Sequence, residues 1–311
     1  MKISDAVTRY VAHRKALGMR FCRQERTLHS FSRHCGETDL GDIAPERVLE
    51  FIAGNGPVTL NWRGKYDTLH GLYRFLIARG LATLAPLPRA VPKPSITFVP
   101  HIFSEAELRR MIDASDACQS SNRILQGATL RTLLLLLYGA ALRLNEALSL
   151  TLADVDLAAR TLSVRESKFY KTRLIPIDTD LCRVLASHVA IRQKQCAASD
   201  EPLLITSQGC AVPDHLAQAA FRRLRVLAAI TRHDGTHQQP RLHDLRHSAA
   251  VHRLVNWYRS GRDVQRLLPR LSTFLGHIDV ASTQRYLTLT PELLREASKR
   301  FEQYAIGGGH E

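Results

Sequence analysis

The stretch APLPRAVPKPSITFVP, residues 85–100, places five prolines among sixteen residues and divides the chain. Proline removes a backbone donor and pushes the preceding residue toward extended geometry, so helices do not cross such a segment. It predicts a semi-rigid linker over residues 87–102, between a domain at residues 1–86 and another at residues 103–311. Before it, Val7, Tyr10, Val11 and Leu17, then Leu28 and Phe31, then Val48, Phe51 and Ile52, then Leu69, Leu72, Tyr73 and Leu76 recur at helical spacing. Gly18, Gly36, Gly54 and Gly80 punctuate them, which predicts a small all-helical domain of about four helices.

After the linker, Ser104-Glu-Ala-Glu107 reads as a capping box behind Phe103 and predicts a helix to Ser115. Apolar residues from Arg123 to Leu150 predict one long helix. The period then changes: Arg160–Glu166 and Thr172–Asp178 flank SKFYK as the two arms of a β-hairpin. Helical spacing returns from Leu181, so the expected fold is mainly α with a small β-sheet.

The 311 residues carry 43 Lys and Arg against 29 Asp and Glu, a formal net charge of +14. The excess is shared, +7 in residues 1–95 and +7 in the remainder, so no basic tail accounts for it. Both halves present positive surface to a polyanion, either nucleic acid or an acidic membrane face. A membrane span fails on length: Thr132–Leu142, between Arg131 and Arg143, is eleven residues, and a span needs about 20. The opening MKISDAVTRYVAHRK lacks the apolar core of a secretory signal, and the six cysteines are scattered. They are expected to be free, mostly buried thiols of a cytoplasmic protein.

Four clusters in the second half carry chemistry. In YGAALRLNEALSL, Arg143 and Glu146 stand at i, i+3, either as a surface ion pair or as an arginine emerging from a packed wall. In SKFYKTRLIPI, Lys168 lies at the hairpin tip, with Lys171 and Arg173 on the return strand. In HDLRH, His243 and Arg246 share a helical face and His247 lies beside them; the two histidines at i, i+4 also allow a metal site, although no carboxylate or thiol completes it. In LGHIDVASTQRYL, Gly276 and His277 make a turn and Tyr286 follows nine residues later. Taken singly, Tyr170, Tyr258 and Tyr286 read as half-buried core residues. Taken together, two arginines, a lysine, two histidines and a tyrosine suit phosphodiester transfer without a metal. Arginines stabilise the charge on the non-bridging oxygens, lysine protonates a leaving oxygen, and a phenol of pKa about 10 becomes a nucleophile beside a base or in a positive field.

On these residues the chain resembles the tyrosine recombinases, or phage-integrase family. The family pattern G-L-R-x-x-E-L is matched around Arg143 and Glu146, and the hairpin pattern G-K-G-x-K-x-R-x-x-P-L around Lys168 and Lys171. H-x-L-R-H is complete at His243–His247, and L-G-H followed by Tyr is complete at Leu275–Tyr286. Ala141 stands where the family usually has Gly, Asn145 where Ser or Gly is common, and SKFYK lacks the glycines around the lysine.

The resemblance implies an N-terminal helical core-binding (SAM-like) domain and a C-terminal α+β catalytic domain. It implies catalytic residues Arg143, Lys168, His243, Arg246, His277 and Tyr286, with no cofactor and no metal. Tyr286 would attack the scissile phosphate to give a 3′-phosphotyrosyl intermediate, Arg143, Arg246 and His277 would hold the non-bridging oxygens, Lys168 would protonate the 5′ oxygen, and His243 would assist as base or orienting donor. Glu146 would buttress Arg143. The implied partner is double-stranded DNA, gripped by both domains within a homo- or hetero-tetramer, and the implied site of action is the cytoplasm, on the nucleoid. The opening YVAHRKALGMRF is more similar to integrases of mobile elements than to chromosome-dimer resolvases, and the last helix, Pro291–Tyr304, would dock either on a neighbouring protomer or on its own domain. Two rivals share the constellation: a type IB topoisomerase relaxing supercoils, and a catalytically silent DNA-binding regulator.

Overall fold

The computed structural model describes residues 1–54, 58–92, 99–117, 124–165, 172–195, 201–232, 238–288 and 293–299. The chain forms two compact units, Met1–Phe98 and Val99–Glu311.

The first unit is helical: α1 (Ile3–Ala16), α2 (Cys22–Cys35), α3 (Pro45–Ala53) and α4 (Leu60–Ile77). Pro45 opens α3 with a preset φ, and Thr59 caps α4 by accepting from the Trp62 amide at 3.3 Å. Val7, Leu28, Phe31, Val48, Leu69 and Leu76 meet in one core. Gly71 lets α1 and α4 approach closely, since a Cβ there would lie 2.7 Å from the Tyr10 hydroxyl. Leu87 and Val91, in the first part of the proline-rich stretch, pack against this core.

The second unit begins with α5 (Glu105–Ala114), capped reciprocally by Ser104 and Glu107, with Phe103 fully buried behind it. The single helix expected from Arg123 to Leu150 is instead two: α6 (Gly127–Gly139) and α7 (Leu144–Leu148). Ala141 breaks it by adopting a left-handed φ of +48°, a conformation in which Cβ crowds the following carbonyl. The hairpin forms from β2 (Thr161–Val164) and β3 (Arg173–Pro176), joined by a short β1 (Val155–Asp156) in the order β1-β2-β3, all antiparallel. Leu162 faces Ile175 across it, both fully buried, and Val164 faces Arg173. The tip, with Lys168, Tyr170 and Lys171, lies outside the described residues.

Then come α8 (Thr179–Gln195), α9 (Asp214–Leu227), α10 (Leu242–Arg259), α11 (Val264–Leu275) and α12 (Ala281–Gln284), the last running into a 3₁₀ turn at Arg285–Thr288. The unit has two apolar clusters, and α10 feeds both: Leu242 and Leu245 enter the larger, Ala250, Val251 and Leu254 the smaller. Residues 293–299 are helical again, and Leu293, fully buried in the smaller cluster, fastens them to their own unit, while Leu294 is exposed. Phe301 and Tyr304 of the expected last helix lie outside the described residues. The described cysteines are free as expected, but the expected burial holds only for Cys35 and in part for Cys182, because Cys22 and Cys210 are exposed.

Candidate active site

The break between α6 and α7 organises the site. It turns the Ala141 carbonyl toward α10 and makes Arg143 the N-cap of α7, with Glu146 three residues on accepting from the Arg143 amide at 2.9 Å. The Glu146 carboxylate gathers guanidinium groups from three elements. Arg143 Nη1 lies 2.6 Å from Oε1, Arg173 donates from both Nη atoms at 3.0 and 2.8 Å, and Arg246 Nη1 stands at 3.9 Å from Oε2. Burial pushes the Glu146 carboxyl up, but the Arg173 fork and the Arg143 amide and side chain overturn this and hold it at about 2. Three guanidinium charges against one carboxylate leave the pocket strongly positive.

Backbone carbonyls aim the arginines. Arg246, 1% exposed, donates from Nη1 to the Ala141 carbonyl at 2.5 Å and from Nη2 to the Leu275 carbonyl. Arg143 Nη2 donates to the Gly276 carbonyl at 2.7 Å, and Arg173 Nε to the Phe274 carbonyl at 3.3 Å. The C-terminus of α11 therefore serves as an acceptor rim for all three, as expected where helix carbonyls lack intrahelical partners. Burial and Arg143 lower the Arg246 guanidinium to about 10, which leaves it charged at neutral pH.

Gly276 closes α11 with φ +63°, and the Arg173 guanidinium fills the space a side chain would need. A Cβ there would lie 2.8 Å from Arg173 Cζ and Nη1. Gly276→Ala is expected to cost the second unit about 2 kcal/mol, from left-handed strain plus overpacking. Urea unfolding checks this, and an unchanged midpoint would show that the rim yields.

The phenol enters from the 3₁₀ turn after α12. Tyr286 is 4% exposed, its ring in the smaller core with Leu254 and Leu275. Its hydroxyl lies 3.0 Å from His247 Nδ1. Burial raises its pKa, and the charges of Arg246 and Arg143 pull against that rise. His277 stacks on the Tyr286 ring with 6.2 Å between centroids, and its Nδ1 meets Thr283 Oγ1 at 2.8 Å. Burial and then Arg246 and Arg143 depress His277 to about 4. His243 touches the His247 ring edge-on at 4.7 Å. Burial and Arg246 also lower His243, but its side is open to water, which screens part of that field.

Of the residues singled out in the sequence, Arg143, Arg246, His277 and Tyr286 converge with Glu146. His243 sits one ring behind, and Lys168 lies outside the described residues. Two residues named in the same clusters, but given no catalytic role there, join them. Arg173 supplies the fork on Glu146, and an arginine opening an otherwise apolar strand was its signal. His247 reaches the phenol, and its signals were its place beside Arg246, its i, i+4 spacing from His243 and the H-x-L-R-H motif that it closes. Among the described residues no group of His, Cys, Asp and Glu is placed to hold a metal ion, and no helix is long and apolar enough to cross a membrane.

An acceptor-aimed cluster of guanidiniums beside a phenol and imidazoles suits phosphoryl transfer, with Tyr286 as the candidate nucleophile. Residues 102–292 match the phage integrase family. The integrase/recombinase y4rB of Sinorhizobium fredii is 35% identical over 96% of each chain, and the tyrosine recombinase XerD of Rhizobium meliloti is 29% identical over 85% of this chain and 81% of its own. The lambda integrase tetramer bound to a Holliday junction superposes with a TM-score of 0.65 at 15% identity, over 92% of this chain and 77% of that one. The chain belongs to the phage integrase family, the tyrosine-type site-specific DNA recombinases.

Proposed function

We propose that the protein breaks and rejoins DNA strands at specific sites through a 3′-phosphotyrosyl intermediate on Tyr286. The observation that carries this reading is the Tyr286 hydroxyl, held 3.0 Å from an imidazole beside three arginines that share one carboxylate. A phosphodiester entering this pocket meets an excess of positive charge that strengthens as the transition state gathers negative charge. Arg143, Arg246 and His277 hold the non-bridging oxygens, His243 adds a donor from the solvent side, and Lys168 protonates the departing 5′ oxygen, as its place in the hairpin motif suggests. Glu146 fixes Arg143, and the Arg173 fork fixes Glu146. The phosphotyrosyl ester conserves the bond energy, so a hydroxyl from a partner strand reverses the step with neither ATP nor a divalent ion.

The N-terminal unit acts as the core-binding domain. Arg23, Arg26 and Lys65 line a cleft between α2 and α4 with Ser30 and Asn61, a cationic and polar lining that suits a DNA backbone. The assembly is a tetramer on two DNA sites, acting in the cytoplasm on the nucleoid. The opening YVAHRKALGMRF favours integration or excision of a mobile element over resolution of chromosome dimers.

The test is a nicked duplex carrying the element's end, incubated with wild type and Tyr286→Phe in EDTA without ATP. Denaturing gels are expected to show covalent protein–DNA adduct from wild type and none from the variant. Adduct from both would move the nucleophile to another tyrosine, and relaxation of supercoils without exchange between sites would make the protein a topoisomerase.

A further inference from the structure

The imidazole that meets the nucleophile is not the one the motif reading put forward as a base. His247 Nδ1 is 3.0 Å from the Tyr286 hydroxyl, whereas His243 contacts the His247 ring and His277 turns its Nδ1 to Thr283. Nδ1 of His247 has no proton when it accepts from the phenol, so the ring's proton is on Nε2 in that arrangement. Contacts other than their own hydrogen bond hold both residues in place. His247 follows Arg246 on α10, whose guanidinium is tied to two carbonyls, and Tyr286 is anchored by its ring in the smaller core.

We propose that His247 is a catalytic residue, the general base that takes the Tyr286 proton as the phenol attacks. The inference rests on the assignment of Tyr286 as nucleophile. In the forward step the Tyr286 O–H bond breaks and its proton passes to His247 Nδ1, while a bond forms between the phenolic oxygen and phosphorus. The bond from phosphorus to the 5′ oxygen breaks, and that oxygen leaves with a proton from Lys168. On rejoining, the 5′ hydroxyl attacks, its proton is taken up on the lysine side, and His247 returns its own proton to the departing phenolate.

The charges around His247 make this basicity conditional. Burial first, then His243, the N-cap Arg241 and Arg246 along its own helix, and His277 from the segment after α11, hold the imidazole at about 3. It is neutral and free to accept, yet a weak base while the pocket is empty of anions. The scissile phosphate brings negative charge to Arg246, and so cancels part of the field that keeps the proton off His247. The base thus strengthens when the phosphate it serves is seated, which keeps Tyr286 protonated off DNA.

Single-turnover adduct formation on the nicked duplex tests this with His247→Asn, His247→Ala and Tyr286→Phe across a range of pH. Asn places an acceptor oxygen near the Nδ1 position but takes no proton. His247→Asn is expected to bind the duplex as wild type does and to cleave about 10²-fold more slowly at neutral pH. Its rate should climb about tenfold per pH unit on the alkaline side, where the phenol must ionise unaided, while wild type stays nearly flat. Added imidazole should restore part of the rate of His247→Ala. A His247→Asn enzyme within about threefold of wild type at every pH would reduce His247 to a hydrogen-bonding support and overturn the proposal. A slow His247→Asn with a flat pH profile would overturn it as well. Should His247→Ala fail to fold, the Asn variant decides alone. Adduct from Tyr286→Phe, or none from wild type, would instead strike at the nucleophile itself, and the base assignment would fall with it.

Discussion

Glu146→Gln is expected to destabilise the second unit by about 3 kcal/mol at neutral pH, the largest stability effect among single substitutions at this site. The magnitude follows from the carboxyl being held at about 2 against an ordinary 4.5. The substitution keeps the shape and removes the one negative charge that Arg143, Arg173 and Arg246 share. Its amide nitrogen would also point a donor at a guanidinium. A folded-state pKa below the unfolded value means that the stabilisation is complete above pH 4.5 and fades as pH falls toward 2. The gap between wild type and variant in urea unfolding should therefore be full at about pH 7 and much narrower at about pH 3. Equal midpoints at neutral pH would show that the three arginines are held by their carbonyl contacts alone. Cleavage should fall too, since Arg143 and Arg173 lose the carboxylate that sets their angle.

Arg246→Lys should leave the protein folded and DNA-bound while lowering adduct formation about 10³-fold. Both charges are positive, so the difference isolates geometry. Arg246 spends Nη1 on the Ala141 carbonyl and Nη2 on the Leu275 carbonyl, and this fixes the plane of the guanidinium beside the Tyr286 hydroxyl. Lysine is a point charge on a flexible stem and cannot serve two carbonyls and a phosphate oxygen from one fixed plane. Affinity for DNA should change by less than about threefold, because many phosphate contacts share it. Gel shifts and single-turnover cleavage on the same duplex separate the two effects, and a loss of rate below about tenfold would show that charge alone suffices.

Much of the molecule was legible in the chain itself. The helical punctuation of residues 1–80, the Ser104 capping box and the two arms of the hairpin depend on local preferences, and they appear where the residues put them. The motifs at Arg143, His243–His247 and Leu275–Tyr286 also set the candidate site, because chemistry selects residue types and spacing before packing acts. The helix break at Ala141 was not legible. Alanine is the best helix former, and leucines continue on either side, so local propensity argues for one helix through residue 150. The left-handed turn persists because long-range contacts outweigh its strain: the Ala141 side chain packs in the smaller core and its carbonyl receives Arg246.

The same reason separates the two histories of Glu146 and His247. An i, i+3 pattern revealed the Arg143 partner of Glu146, but Arg173 lies 27 residues away and arrives only when β3 pairs with β2. Likewise 39 residues separate His247 from Tyr286, and no periodicity joins a position on α10 to one in a later 3₁₀ turn. By itself the sequence determined the mainly helical class, the positive charge of both halves and the inventory of reactive groups, since these follow from composition and short-range spacing. Only the tertiary structure decided which carboxylate restrains which arginines and which imidazole meets the phenol, because those contacts depend on how distant segments pack.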